Sequence, residues 1–199
     1  MLEHVLSEDW ENGGFGLYIH WPFCAAKCPY CDFNSHVRNN IDQKQWLRSY
    51  LSEINRVSKN TSNRSLNSVF FGGGTPSLIE PWVINDILNE IQKYWKTKDI
   101  FEVTLEANPG SVDAKNFEAY RSAGVNRVSM GIQSLNEKDL KALGRTHTVK
   151  EALSAFEIAQ QNFPAVSFDL IYARQNQNLM QWEKELGQAL DLGANHMSL

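Results

Sequence analysis

All three cysteines of this 199-residue chain lie within eight positions, as Cys24, Cys28 and Cys31. With three and then two intervening residues, one tight loop can bring the three thiolates to a single inorganic centre. Three unconnected structural cysteines would not be expected to cluster in this way. A closed zinc site and a four-iron cluster each take four ligands. The set is one ligand short, which predicts an open coordination position where a further molecule can bind.

The composition is that of a globular protein, with 42% hydrophobic and 21% charged residues, and it excludes disordered and fibrous classes. The net charge of −4 and the lack of a basic stripe disfavour a nucleic-acid partner. The chain has neither an apolar stretch long enough to span a bilayer nor a signal peptide, so we expect a cytoplasmic protein with no transmembrane segment. In a reducing compartment, an odd number of clustered cysteines favours metal over disulfides.

Strand and helix patterns alternate along almost the whole chain, after an N-terminal arm at 1–14 that we expect to be flexible. Apolar and aromatic runs predict strands at 16–21, 68–71, 101–107, 126–132, 165–171 and 195–199. Helical periodicity and capping residues predict helices at 42–58, 81–96, 112–123, from 136, at 148–161 and at 179–192. Among the caps, Thr148 and Glu151 form a capping-box pattern.

This alternation without hairpin signals predicts parallel strands, in either an open doubly wound sheet or a β/α barrel. A complete eight-unit barrel needs about 250 residues, whereas five units and a sixth strand are present here. We therefore predict an α/β fold, an incomplete (β/α) barrel with five to six parallel strands and outer helices. The core domain would occupy 15–199 and be truncated at its C-terminal end.

Polar residues alternate with apolar ones on the third, fourth and fifth predicted strands. Since the helices should cover the apolar face, Glu106, Gln133 and Asp169 are expected inside the barrel near the strand tops, where barrel active sites are built. Each taken singly could instead be a satisfied core or rim residue. The run Gly72-Gly73-Gly74 ends the second strand, and free amides there could bind a carboxylate or carbonyl. From its position alone, Arg145 would be a solvated charge at a helix end.

The stretches 18–34 and 71–77 together resemble the radical S-adenosylmethionine superfamily, in its oxygen-independent coproporphyrinogen III oxidase-like branch. Within that branch, Cys31-Asp32-Phe33-Asn34 is closer to the haem chaperone subgroup than to the true oxidases, where another cysteine usually follows the third ligand. The resemblance covers about residues 15–199 and implies a barrel of the radical S-adenosylmethionine type.

The resemblance also implies the cofactors and their contacts. Cys24, Cys28 and Cys31 would hold three irons of a 4Fe-4S cluster, and S-adenosylmethionine would occupy the fourth. Active members cleave that cofactor reductively to methionine and a 5′-deoxyadenosyl radical. No residue is assigned a catalytic role. The implied cofactor contacts are Tyr18, Tyr30, Gly73, Gly74, Thr75, Glu106, Gln133, Arg145 and Asp169.

The sequence departs from the family after Asp169-Leu170-Ile171-Tyr172. Members usually continue with a glycine–leucine–proline–glycine-like turn, whereas this chain has Ala173-Arg174-Gln175-Asn176. That turn would help to close the top of the fifth strand, so its replacement bears on cofactor affinity. The chain also ends before the family's last barrel strands and its C-terminal haem- or porphyrin-binding region.

Three functions are compatible with these observations. The first is a haem chaperone that binds haem and delivers it to a haem-accepting protein, with the cluster and S-adenosylmethionine in support. The second is an oxygen-independent coproporphyrinogen III oxidase that decarboxylates porphyrinogen propionates. The third is a non-catalytic metal-binding fragment with zinc in the cysteine loop. Haem or a porphyrin is the expected partner in the first two.

Overall fold

Six parallel strands form one sheet in the computed structural model, which describes residues 10–111 and 114–199. Each strand pairs with the next one along the chain. A doubly wound sheet would reverse its strand order at a switch point, so the sequential order confirms the β/α-barrel prediction over that alternative. The strands are β1 (Phe15–Trp21), β2 (Ser65–Gly73), β3 (Lys96–Ala107), β4 (Arg127–Gln133), β5 (Ala165–Leu170) and β6 (His196–Ser198).

Six helices connect these strands, largely where capping and periodicity placed them. Asp42 accepts a hydrogen bond from the Gln45 amide at the start of the first helix, and Thr148 with Glu151 forms the predicted capping box. Asn178 and Gln181 form a second capping box. The helices are α1 (Gln43–Ser58), α2 (Pro81–Tyr94), α3 (Ala114–Ser122), α4 (Glu137–Ala142), α5 (Val149–Asn162) and α6 (Leu179–Asp191).

The largest departure from the predicted elements is at the start of β3. This strand begins at Lys96 rather than at 101, and α2 ends at Tyr94. Residues 96–100 are all exposed, and all of them except Ile100 are polar. They therefore lack the alternation that identifies a half-buried strand. They extend the sheet because residues 96 and 97 pair with residues 65 and 66, and the same pairing lengthens β2.

Two predicted segments fall partly outside the described residues. The helix expected to begin at 112 is described from Ala114, and 112 and 113 lie outside. Of the predicted N-terminal arm, 1–9 lie outside, while Trp10–Gly13 forms one helical turn.

The hydrophobic core lies between the helices and the apolar face of the sheet. In β3 and β4 the alternate residues Val103, Leu105, Val128 and Met130 are buried, as their period-two spacing predicts. The α2 stripe packs on that face with Ile84, Ile87 and Ile91 fully buried. Burying one such side chain stabilises the fold by about 1.5–3 kcal/mol. The opposite face of the strands is therefore left to carry the polar set.

Within the described part of the chain, no helix has the length and apolar character needed to cross a membrane.

Candidate functional site

The cysteine loop leaves the end of β1 and is closed by its own backbone. A short parallel ladder joins Phe23–Cys24 to His36–Val37, and the Cys31 amide donates to the Cys28 carbonyl at 3.1 Å. The Lys27 ammonium donates to the carbonyls of Phe33 and Ser35 at 3.3 and 3.2 Å. These hydrogen bonds close the loop on itself, and its three cysteines line one cleft.

Glycine allows this loop to pack against the segment that follows α4. A Cβ added at Gly144 would stand 2.6 Å from Cδ of Pro29, and Gly144 has a φ of +68°. Because of the close approach and the left-handed backbone, any larger residue at position 144 would strain the structure. The cysteine loop is thus held against the chain just before Arg145.

The three cysteines line a cleft of about 350 Å³ together with residues from the strand ends. The structure brings eight of the nine predicted cofactor contacts to this cleft. They are Tyr30, Gly73, Gly74, Thr75, Glu106, Gln133, Arg145 and Asp169. Residues separated by more than a hundred positions therefore meet in one concave site, although their individual roles toward a cofactor stay predictions.

The ninth predicted contact, Tyr18, does not line the cleft. It projects from β1 with 60% of its surface exposed and stacks on Phe70 with ring centroids 5.9 Å apart. Partial burial, and to a lesser degree the Glu106 carboxylate, raise the pKa of Tyr18. It is therefore a neighbour of Glu106, beside the cleft wall.

The chemistry of the donor set fits an iron–sulfur cluster better than one zinc ion. All three cysteines are free thiols. Among the residues described, no three Cys, His, Asp or Glu side chains converge closely enough to coordinate one metal ion. In a four-iron cluster each cysteine binds a different iron, so the sulfurs surround the cluster and need not meet at one point. Three thiols around one cleft suit that requirement and would leave one iron without a protein ligand.

The glycine run differs from the prediction, because its amides are not free. The Gly73 amide donates to Oε2 of Glu106 at 3.0 Å, and the Gly74 amide donates to the Trp21 carbonyl at 2.6 Å. The Thr75 amide donates to the Phe23 carbonyl at 2.8 Å. The expectation of open amides for a ligand was wrong, since backbone amides at a buried strand end must find partners within the protein.

The run has a different structural role, which is to bring β2 close to the start of the cysteine loop. A Cβ at Gly74 would stand 2.5 Å from the Phe23 carbonyl oxygen, and Gly73 has a φ of +119°. Side chains at these two positions would push the loop away from the strand ends. Gly73, Gly74 and Thr75 therefore fix the distance between the thiols and the strand-end carboxylates.

Two carboxyl groups face the cleft, and burial raises the pKa of both. Burial raises the pKa of Glu106 to about 7, with a further rise from Asp169 and a reduction from the Gly73 hydrogen bond. Burial also raises the pKa of Asp169, against lowering by the Ser198 hydroxyl and by Arg127, His196 and Arg145. Near neutral pH, Glu106 can therefore either donate or accept a hydrogen bond.

Arg145 joins the cysteine loop to the inner face of β4. Its Nη1 lies 3.4 Å from both the Cys28 Sγ and the Tyr30 hydroxyl, and its Nη2 donates to the Gly131 carbonyl at 2.8 Å. Its buried Nε has no partner among the described residues. A guanidinium with a buried, unused N–H suits a carboxylate ligand. Arg145 is half-buried at the cleft, which corrects its interpretation from position alone as a solvated charge.

Tyr30 lies between two cysteines of the loop and beside this guanidinium. Burial raises its pKa to about 12, with smaller opposing effects from Arg145 and Cys28. The ring is 41% exposed and neutral at physiological pH, so it offers a flat apolar surface next to the thiols.

Sequence reasoning missed several residues of the cleft wall. Ser129 and Gly131 share the inward face of β4 with Gln133, and Asn108 follows the last residue of β3. The alternation that singled out Gln133 contained the signal for the first two. Lys27 also lines the cleft, a position that only the folding of the loop determines.

Comparison with known proteins places the chain in a recognised family. Residues 18–187 match the sequence model described as the Radical SAM superfamily. The chain is similar to "Heme chaperone HemW" of Haemophilus influenzae, with 43% identity over 188 residues that cover 92% of this chain and 49% of that protein. It is also similar to "Radical S-adenosyl methionine domain-containing protein 1, mitochondrial" of Bos taurus, with 39% identity over 92% of this chain and 42% of that protein. The chain spans about half the length of these curated relatives, or less.

A solved structure shows the same fold. The coproporphyrinogen III oxidase HemN of Escherichia coli, described as a radical SAM enzyme, superposes with a TM-score of 0.82 and 23% sequence identity. The superposition covers 92% of this chain and 42% of that one. At this identity the likeness establishes the parallel-sheet fold and leaves the reaction open.

Proposed function

This chain belongs to the radical SAM superfamily, and on that basis we propose that it binds a 4Fe-4S cluster and S-adenosylmethionine and serves in haem transfer as a haem chaperone. The observation that carries the proposal is the common cleft, because three free thiols face the polar strand ends across one space. An open iron needs a second molecule beside it, and the cleft provides the donors and acceptors for one.

Cys24, Cys28 and Cys31 would each hold one iron of the cluster. When bound, the cluster supplies the electron for reductive cleavage of S-adenosylmethionine. The cysteine loop keeps the three thiols on one side of the cleft through its backbone ladder. Nη1 of Arg145, 3.4 Å from the Cys28 Sγ, would place a positive charge beside the cluster.

The remaining cleft residues would hold S-adenosylmethionine. Arg145 has the free N–H for its carboxylate, and the Tyr30 ring can lie against the adenine. Because their amides are occupied, Gly73 and Gly74 would offer carbonyl oxygens to the methionine ammonium. The buried side chain of Thr75 would contact the same end of the ligand.

Three strand-end residues would complete the cofactor site. Glu106, Gln133 and Asp169 can bind the hydroxyl and amino groups of the nucleoside. The Gln133 amide both donates and accepts, and so does the Glu106 carboxyl, because its pKa is about 7. Tyr18 would act from beside Glu106, outside the cleft wall.

Haem transfer is supported by relatives named as haem chaperones. The proteins named "Heme chaperone HemW" in Haemophilus influenzae and Escherichia coli are 43% and 37% identical to this chain. The Cys31-Asp32-Phe33-Asn34 context agrees with that subgroup. Haem and a haem-accepting protein would be the partners, and a reducing compartment such as the cytoplasm would keep the thiols available for iron. The oxidase alternative has fold similarity alone behind it.

Anaerobic reconstitution with iron and sulfide tests the cofactor part of the proposal. We expect about four irons per chain, the brown absorbance of a cluster, and a spectral change on addition of S-adenosylmethionine. The variant Ala26→Ser, in the same loop, is the matched control and should load normally. Zinc in place of iron, or a spectrum that does not respond to S-adenosylmethionine, would overturn this part.

Haem titration of the loaded protein tests the transfer part. We expect a saturable change in the haem absorbance and passage of haem to an apo-haemoprotein added afterwards. A loaded protein that binds no haem would overturn the chaperone function and leave the cluster proposal standing. Mass loss from coproporphyrinogen III under reducing conditions would favour the oxidase.

A further inference from the structure

The turn after β5 adopts a backbone that its residues do not favour. Ala173 and Asn176 have φ values of +54° and +63°, in the left-handed region. These are the positions where the family's usual turn has glycine, for which this conformation is free of strain. Because left-handed backbone costs free energy at residues other than glycine, contacts from the surrounding protein must stabilise this turn.

Arg174 provides that stabilisation from inside the protein. Only 5% of its side chain is exposed, and its Nη2 pairs with the Glu185 carboxylate of α6 and with the Asp139 carboxylate of α4, the latter at 2.8 Å. Its Nη1 donates to the Ile171 carbonyl. One guanidinium therefore joins the end of β5, α4 and α6, where the family's turn has an apolar leucine.

Glu185 carries the connection on to the end of β4. Its side chain is 6% exposed, and its Oε1 accepts hydrogen bonds from the Ser134 hydroxyl and the Leu135 amide, both at 2.7 Å. Ser134 and Leu135 directly follow Gln133, whose own φ is +72°. The pair of Arg174 and Glu185 thus holds the chain immediately after a strained residue of the cleft.

The two strand ends that the pair connects are neighbours in the cleft wall. The Ile171 amide donates to the Gln133 carbonyl at 2.9 Å, and both residues line the cleft. A shift of either loop would move this wall relative to the cysteine loop.

We propose that Arg174, through its buried ion pair with Glu185, is a positioning residue that sets the Gln133–Ile171 wall of the cleft for S-adenosylmethionine. Arg174 acts through Glu185, Ser134 and Leu135, and it does not touch the ligand. Naming S-adenosylmethionine as the ligand rests on the proposed function, whereas the link between Arg174 and the wall does not.

The test uses the double variant Arg174→Met/Glu185→Gln. The amide oxygen that the second substitution introduces can still accept from Ser134 and Leu135, and no unpaired charge is left buried between the two positions, so the fold should persist. The matched control is Arg56→Met/Glu53→Gln, which removes an exposed pair on α1. The conservative variant Arg174→Lys keeps the charge and loses the fork, in which Nη2 reaches both carboxylates while Nη1 donates to the Ile171 carbonyl.

Amide hydrogen exchange of the whole chain, read at Ile171, is the first measurement. We expect the double variant to exchange this amide roughly tenfold faster, Arg174→Lys to give an intermediate rate, and the control pair to match the wild type. The second measurement is the dissociation constant for S-adenosylmethionine in the cluster-loaded proteins. It should rise by about tenfold in the double variant and stay unchanged in the control.

A double variant whose Ile171 exchange and S-adenosylmethionine affinity both equal the wild type would overturn the positioning role. Faster exchange with unchanged affinity would also overturn it, since the wall would then move without consequence for the ligand. If the wild type itself bound no S-adenosylmethionine, the proposed function would fail, and the exchange of Ile171 would still decide whether Arg174 holds the wall. If the double variant lost protection throughout the chain, the cause would be global unfolding. The exchange rate of Ile171 in Arg174→Lys, which keeps a buried cation, would then distinguish a local effect on the wall from global unfolding.

Discussion

The two walls of the cleft are built by different means. The wall formed by β1, the cysteine loop and the glycine run is joined by backbone hydrogen bonds, such as the bond from Gly74 to Trp21. The opposite wall, at the ends of β4 and β5, has a backbone bond from Ile171 to Gln133 and is supported from behind by side chains, above all the pair of Arg174 and Glu185. Backbone contacts fix thiols at set distances, whereas a side-chain pair can be replaced residue by residue. The difference indicates that the cluster side depends on the path of the backbone, whereas the ligand side depends on the identity of a few buried side chains.

Removing a cluster ligand should have the largest effect, confined to the first wall. For Cys28→Ser we expect loss of the reconstituted cluster, because a serine hydroxyl is a poor ligand for iron beside sulfide. Iron and sulfide content after anaerobic reconstitution would measure it, with Ala26→Ser as the control. Retention of a full complement of iron and sulfide by Cys28→Ser would contradict the assignment.

Removing the central carboxylate should be the largest change in the second wall. In Glu185→Ala, Arg174 keeps the Asp139 carboxylate as a partner but loses the other carboxylate. The Ser134 hydroxyl and the Leu135 amide lose the acceptor that Glu185 provides. We expect the free energy of unfolding to fall by about 3 kcal/mol, measured by urea denaturation. Glu183→Ala, on the exposed face of the same helix, should stay within about 0.5 kcal/mol of the wild type. Equal effects of the two substitutions would show that the second wall does not depend on the ion pair.

A methyl group in the first wall should have a smaller but distinct effect. In Gly74→Ala the new Cβ would meet the Phe23 carbonyl oxygen at 2.5 Å, so backbone must move. We expect a loss of about 1–3 kcal/mol in the free energy of unfolding. The matched control is Gly187→Ala in α6, where the new Cβ would have no other described residue's atoms within 4 Å, and it should be stabilising by about 0.5–1 kcal/mol. If Gly74→Ala were as stable as wild type, the tight backbone joint would be disproved.

The smallest predicted effect concerns Glu106, whose carboxylate ties β3 to the glycine run. Its pKa is raised in the folded protein to about 7, so the folded state binds more protons than the unfolded state between the ordinary carboxyl pKa and 7. Its contribution to stability is therefore greatest at low pH and is lost as the pH rises through about 7.

Glu106→Gln should flatten this dependence by on the order of 1 kcal/mol, since the carboxyl keeps some contact with solvent. The measurement is the difference in unfolding free energy between wild type and variant at a series of pH values from about 5 to 8. Taking the difference removes the contribution of His147, whose pKa is lowered by burial and whose effect has the opposite sign. A difference that does not vary with pH would show that Glu106 is fully ionised in the fold.

Much of the fold could be predicted because its signals are local. Period-two alternation in 101–107 and 126–132 identified two central strands and the inward faces of Glu106 and Gln133. The capping box of Thr148 and Glu151 marked the start of α5. Where a segment lacked such a signal, as in the polar start of β3 at 96–100, the prediction stopped short. The two-stranded ladder at Phe23–Cys24 was missed for the same reason.

By itself, the sequence determined the kinds of groups that the site contains and the strand ends that carry them. Three thiols at close spacing and polar residues at successive strand ends are properties of short windows, and a parallel sheet brings such ends to one edge. Only the tertiary structure decided that the glycine amides are occupied, that Arg145 reaches Cys28 across 117 positions, and that Glu185 supports the chain after Gln133 across 51. Those contacts depend on how helices and loops pack around the sheet, and a buried polar group takes whichever partner that packing places within hydrogen-bond distance.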